Sequence, residues 1–209
     1  MSYQTEEEQV EALKTWWKEN GKSIMVGAVL GFSIIFGWQG WQIYQVDQGE
    51  AASQRFDDLQ KAVETAEQDE LQDTAKQLMD EHASSAYASF AVLQLAKQAY
   101  ENGDKAQVRE HLEWVLQNAS DTVIQEMARL RLGRLLLDMQ DSEAAKTLLA
   151  QATTGLFSSE FMVLQGDLAY QAGDLAAARK AYQEALEAEA GDVALLRMKL
   201  ADIAAEGQG

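Results

Sequence analysis

FMVLQGDLAYQAGDLAAARKAYQEALEAEA, residues 161–190, is the stretch from which the architecture can be read. Gly173 and Asp174 mark a tight turn between two helical runs. A small residue, Gly166, sits in the first run, and Ala178, Tyr182 and Ala185 recur in the second. Small residues let two antiparallel helices pack closely, and bulky ones fill the groove of the next unit. The pattern returns 33 residues earlier in MARLRLGRLLLDMQDSEAAKTLLAQA, residues 127–152. There Leu132 and Gly133, then Ala145, Leu149 and Ala152, take the equivalent places. It returns again 37 residues before that in FAVLQLAKQAYENGDKAQVREHLEWVL, residues 90–116. Ala96 replaces the glycine, Gly103 and Asp104 form the turn, and Val108, Leu112 and Val115 follow.

Self-similarity at this period is the signature of stacked helical hairpins, and the three units resemble tetratricopeptide repeats. The expected repeats cover about 89–122, 126–157 and 159–190. They depart from the family pattern in lacking its terminal proline and its first-helix tryptophan, and Gln140–Asp141 stands where the others have Gly-Asp. Terminal repeats expose an apolar face that must be covered. Residues 48–82 fit a helix pair, with Phe56, Leu59 and Val63 on one stripe and Leu71, Ala75 and Leu78 on the other. Residues 193–205 fit a capping helix with Val193, Leu196, Leu200 and Ile203 inward and Arg197 and Lys199 off that face. The closing EGQG, residues 206–209, is expected to be disordered.

Ahead of the repeats, residues 23–46 carry no charge. As helix they extend about 36 Å, enough for a hydrocarbon core of about 30 Å. Trp16 and Trp17 precede the run, and Trp38, Trp41 and Tyr44 close it, as interfacial belts do. The 22 residues before it are rich in acid, and no small-x-small site follows it. The segment therefore reads as an uncleaved signal anchor rather than a cleaved signal peptide. Lys14, Lys18 and Lys22 flank it on one side, and Asp47, Glu50, Asp57 and Asp58 dominate the other. Residues 1–22 are accordingly expected in the cytoplasm and residues 47–209 exported. Gly27 and Gly31 form a G-x-x-x-G suited to packing a second membrane helix. In the tail, Thr5 and Glu8 fit a capping box, Val10, Leu13 and Trp17 share a face, and Gly21 is expected to break this short helix from the span.

The net charge of −17 is carried mainly after residue 22, where 29 acidic residues stand against 14 basic ones. That balance excludes sequence-independent nucleic-acid binding, which needs a positive footprint. With no cysteine, disulfides and thiolate metal sites are excluded. His82 and His111 are isolated, His111 beside Glu110 and Glu113 fitting a solvated surface group. No phosphate-cradling loop, nucleophile elbow or paired-ligand spacing occurs, so neither catalytic residues nor a cofactor are expected.

The block QVEALKTWWKENGK, residues 9–22, runs into a glycine-studded span ending GWQGW, residues 37–41, and then into helix pair, degenerate repeats and capping helix. In this order the chain resembles the YfgM-type ancillary subunits of the bacterial SecYEG translocon. The resemblance implies inner-membrane anchoring with the repeats in the periplasm, association with SecYEG, and pairing with a membrane-anchored isomerase of the PpiD type. It also implies a link from translocating client polypeptides to periplasmic chaperones, and an influence on an envelope-stress regulator. The competing expectation is a tether for another envelope-assembly complex. In tetratricopeptide arrays the first helices line the concave face. Here they would present Phe90, Leu93, Lys97 and Tyr100, then Met127, Leu130, Arg134 and Leu137, then Val163, Asp167 and Tyr170. The alternative is that helices 48–82 fold into that groove and make these residues core.

Overall fold

The computed structural model describes residues 6–65, 68–153, 155–188 and 192–206. Thr5 of the capping box and the terminal 207–209 lie outside them. Among the described residues the chain is helical, without strands: α1 (Glu6–Thr65), α2 (Gln68–Glu81), α3 (Ala86–Glu101), α4 (Lys105–Asn118), α5 (Thr122–Asp138), α6 (Ser142–Leu149), α7 (Ser158–Gln171), α8 (Leu175–Glu187) and α9 (Val193–Glu206). Contacts divide it into two units, Met1–Glu50 and Ala51–Gly209.

In the first unit the helix does not break at Gly21. A single glycine weakens a helix by about 1 kcal/mol and does not by itself end it, and the Trp17 indole lies over Gly21, 3.4 Å from where a Cβ would stand. Val10, Leu13 and Trp17 are exposed, as are the large apolar side chains from Ile24 to Val46. This stretch is long and apolar enough to cross a membrane, and none of its apolar window is buried within the chain.

In the second unit α3/α4, α5/α6 and α7/α8 are the three hairpins, stacked in chain order. Their turns are built alike. Gly103 and Gly173 adopt the left-handed φ of 78°, and Gln140 takes the same place at φ 61°. In each, the amide of the left-handed residue bonds three residues back and the next amide bonds five back. Asp104 N–H meets Ala99 O at 2.9 Å, Asp141 N–H meets Leu136 O at 2.8 Å, and Asp174 N–H meets Ala169 O at 2.9 Å. This double closure satisfies carbonyls that a helix end would leave open. The aspartate then caps the following helix, accepting from Gln107 N (3.0 Å), Ala144 N (3.2 Å) and Ala177 N (2.9 Å). Each such cap contributes about 1 kcal/mol. The middle turn thus keeps its geometry without glycine, because the backbone bonds and the Asp141 cap fix it from both sides.

The inward residues of the hairpins are the small and bulky ones that recur in the sequence. Val108, Leu112, Val115, Leu132, Ala145 and Leu149 lie in a central core with Leu164, and Ala178, Tyr182 and Ala185 lie in a second one with Leu196 and Ile203 of α9. Gly133 and Gly166 have no room for a side chain. A Cβ on Gly133 would come within 2.5 Å of Leu164 Cδ2, and one on Gly166 would overlap the Tyr182 ring. In the second hairpin α6 stops at Leu149. Ala152 still packs on the core, but the chain has left the helix, and Thr153 N–H reaches Glu126 Oε2 at 3.4 Å. Glu126 is buried and also accepts from Arg129 at 3.3 Å, which ties the loop to the start of α5.

Residues 51–65 of α1 cover the other end of the array. Ala52, Leu59 and Ala62 bury against Leu71, Ala75 and Leu78 of α2 and Ala88, Ala91 and Leu95 of α3. Val63, expected inward, is exposed. Arg55 anchors the pair through Glu81 at 2.7 Å and through Gln77.

Candidate functional site

The first helices of successive hairpins touch one another, α3 to α5 and α5 to α7, and leave a groove between them. Two cavities lie in it. One, of about 310 Å³, is bounded by α3, α4 and α5 and lined by Leu93, Lys97, Tyr100, Arg131 and Arg134 among others. The second, of about 590 Å³, lies between α5, α7, α8 and α9, with Leu137, Asp167, Tyr170, Leu195 and Met198 in its lining. Arg134 and Asp138 line both, so the two are parts of one surface.

The structure brings together seven of the eleven residues assigned to this face. Leu93 and Leu137 form its floor and are otherwise buried, whereas Lys97, Tyr100 and Arg134 are exposed and Tyr100 is 65 % accessible. Asp167 and Tyr170 stand on the α7 wall. Four residues do not line either cavity. Leu130 is buried at 6 %, Met127 packs on the central core, and Val163 packs on the α8/α9 core. Phe90 meets Phe56 with ring centroids 6.2 Å apart, and Phe56 in turn meets Tyr87 at 5.5 Å. Phe90 thus touches the helix pair through Phe56 yet stays 41 % exposed. Within the second unit, neither residues 51–65 nor α2 line the two cavities.

The charges of the groove are arranged unevenly. Lys105 holds Asp138 at 2.7 Å, and Lys97 and Glu101, both exposed, stand 3.8 Å apart. Tyr182 O–H donates to Asp167 Oδ1 at 2.6 Å, Lys199 of α9 bonds the same oxygen, and its ammonium lies 5.3 Å from the Tyr182 ring centroid. Burial, reinforced by the bond to Asp167, pushes the Tyr182 phenol above its usual range, so it serves as a fixed donor. Asp167 is therefore a joint between α7, α8 and α9 as well as a wall residue. His111 is half-buried rather than solvated. Burial lowers its pKa against the opposing influence of Glu110 and Asp104, while Glu113 pairs instead with Arg109 at 2.8 Å.

Arg131, Leu195, Met198, Lys199 and Asp202 belong to the groove but were not assigned to it from sequence. Arg131 had a usable signal: it stands three residues before Arg134 and shares its face. The α9 residues had none, because periodicity gives that helix an inward face but not the direction in which its other faces look.

In the first unit an added Cβ at Gly27 or Gly31 meets nothing within 4 Å, so both present an open helix surface. Among the described residues no cluster of histidines and carboxylates could hold a metal ion.

An exposed apolar helix followed by stacked hairpins with an open groove defines a helical-repeat protein of the binding kind, with one helix that fits a membrane span. The tetratricopeptide repeat-like domain model matches residues 14–205, nearly the whole chain. A Haemophilus influenzae protein named ancillary SecYEG translocon subunit is 34 % identical, the match covering 88 % of this chain and 91 % of that protein. Proteins of the same name from Aggregatibacter actinomycetemcomitans (30 %, covering 90 % and 92 %) and Escherichia coli (28 %, covering 90 % of each) are similar too. No solved structure matches. The chain belongs to the tetratricopeptide repeat-like family of ancillary SecYEG translocon subunits.

Proposed function

We propose that this chain is a non-enzymatic, membrane-anchored adaptor of the SecYEG translocon. In this reading residues 23–46 are an uncleaved signal anchor in the inner membrane, residues 1–22 stay in the cytoplasm, and residues 47–209 stand in the periplasm. The groove there receives partner or client polypeptide and links emerging chains to periplasmic chaperones, a membrane-anchored isomerase of the PpiD type among them. The observation that carries the reading is the pairing, in one chain, of an outward-facing apolar helix with an open groove on stacked hairpins. It is supported by the name that relatives bear over about nine-tenths of their length. The lysines at 14, 18 and 22, against the acidic residues after the span, favour the stated orientation.

Copurification of the full chain in mild detergent, followed by identification of partners, tests the function. Recovery of translocon subunits is expected. Recovery of cell-wall or outer-membrane assembly proteins alone would make the chain a tether instead. A reporter active only in the periplasm tests the orientation. Fused after Gly209 it should be active and before Tyr3 inactive, and the reverse pattern would invert the assignment.

A further inference from the structure

We propose that the cavity between α3, α4 and α5 recognises a polypeptide segment that carries a carboxylate beside an apolar side chain. The proposal rests on the reading of the groove as a docking face and specifies what docks there. The cavity holds about 310 Å³, room for a leucine or phenylalanine side chain, and Leu93, Val108, Leu112 and Leu135 give it apolar walls. Arg131 and Arg134 stand on its α5 side, three residues apart and on one face. Both are exposed, and among the described residues neither has an ion-pair partner. The acid on the same lining, Asp138, is already held by Lys105 at 2.7 Å. Tyr100, at the mouth, adds an exposed ring that can cover an entering side chain.

A purely apolar segment in this cavity would strip water from two guanidinium groups and return nothing, which is costly. A basic segment would meet like charge. A carboxylate supplies what both arginines lack, since guanidinium binds it through two parallel N–H donors and the bond strengthens beside apolar walls. The acidity of the chain as a whole does not prevent this. At physiological ionic strength charges are screened beyond about 8 Å, so the local arginine pair governs the approach, and binding should weaken as salt is raised.

The test uses the full chain in detergent, probed on an immobilised array of ten-residue peptides of random composition, each printed with a free and with an amidated C-terminus. The bound set should be enriched in aspartate or glutamate next to leucine, isoleucine, phenylalanine or tyrosine. Changing the acid to its amide in a bound peptide should weaken binding by about tenfold or more, as expected for a charge pair flanked by apolar surface. Arg131→Gln with Arg134→Gln should lose binding to the same extent while keeping the wild-type helical spectrum and melting curve. Arg131→Lys with Arg134→Lys, which keeps the charge and loses the fork, should fall between. Binding that survives amidation assigns a side-chain carboxylate, and binding only to free termini assigns the terminal one; either outcome fits the proposal. It is overturned if binding neither enriches aspartate or glutamate nor requires a free C-terminus, if the glutamine pair binds like wild type, or if no peptide binds wild type above that pair. Translocon recovery is scored separately. Its failure in the wild type sinks the adaptor reading and leaves the array result standing, whereas its retention in the glutamine pair places the translocon contact elsewhere.

Discussion

Glycine does different work in the two units, and so do most of the large apolar side chains. In residues 6–50, Gly27, Gly31, Gly37 and Gly40 face open space, and Val29, Ile34 and Phe36 point outward. In residues 51–206, Gly133 and Gly166 are filled by Leu164 and Tyr182, and Leu59, Leu78 and Ile203 are wholly buried. Apolar surface goes wherever water is absent. The repeats remove it by stacking hairpins on one another, while the N-terminal helix leaves it exposed, as a membrane span would, and there close-packing residues gain a use only when another helix arrives.

The contrast breaks most sharply at the glycines. Gly166→Leu should destabilise the repeats by about 3 kcal/mol, because the Tyr182 ring occupies the space and is itself held by Asp167. A lowered melting temperature of the full chain in detergent would measure it, and an unchanged one would void the packing assignment. Gly27→Leu with Gly31→Leu should leave that melting curve alone. Its effect, if those glycines meet a partner helix, is weaker recovery of the membrane partner.

Within the groove a second comparison separates floor from rim. Leu137→Ala should cost about 2–3 kcal/mol by leaving a cavity, since Leu137 is almost wholly buried. Tyr100→Ala should stay within about 0.5 kcal/mol, since Tyr100 is mostly exposed. Equal losses in thermal unfolding would mean that the rim is core.

The turns allow a gain rather than a loss. Gln140 holds a left-handed φ of 61° that glycine occupies in the sister turns. Gln140→Gly should therefore stabilise the chain by up to about 1 kcal/mol, offset in part by the added entropy of an unfolded glycine. A fall in stability would show that the Gln140 side chain contributes more than its backbone costs.

The smallest effect is a slope. Burial depresses the His111 pKa below the 6.5 of the free side chain, so the unfolded chain binds the proton more readily than the folded one. The contribution of His111 is complete above that value and is lost as pH falls through the folded pKa. Denaturant titrations at pH 7 and pH 5 should show wild type losing stability that His111→Gln retains, and parallel losses would assign the slope to other groups.

Much of the fold was legible because helical hairpins are local. Ala178, Tyr182 and Ala185 fall inward by spacing alone, and Asp104 and Asp174 cap helices by chemistry that requires no distant partner. The groove was legible in part. Its α3, α5 and α7 residues follow from helix period, yet Leu130, Met127 and Val163 share those helices and turn into the cores, a difference of one or two positions around the axis. Gly21 misled because a glycine lowers helix stability without forbidding helix, and residues on both sides carried it through. His111 misled because its neighbours in sequence are acids, while its burial comes from packing against other helices.

By itself, then, the sequence determined an all-helical chain, one uncharged span flanked by tryptophans, and three hairpins with their turns in place, because each of these depends on interactions within a few residues. Only the tertiary structure decided that residues 51–65 and α2 stay out of the groove's lining, that Lys199 of α9 closes on Asp167 of α7, and that Arg131 and Arg134 line a cavity while Lys105 pairs with the nearby Asp138. Those are relations between residues roughly thirty positions apart or on different hairpins. The angle at which one helix crosses the next sets them, and no periodicity along a single helix contains that angle.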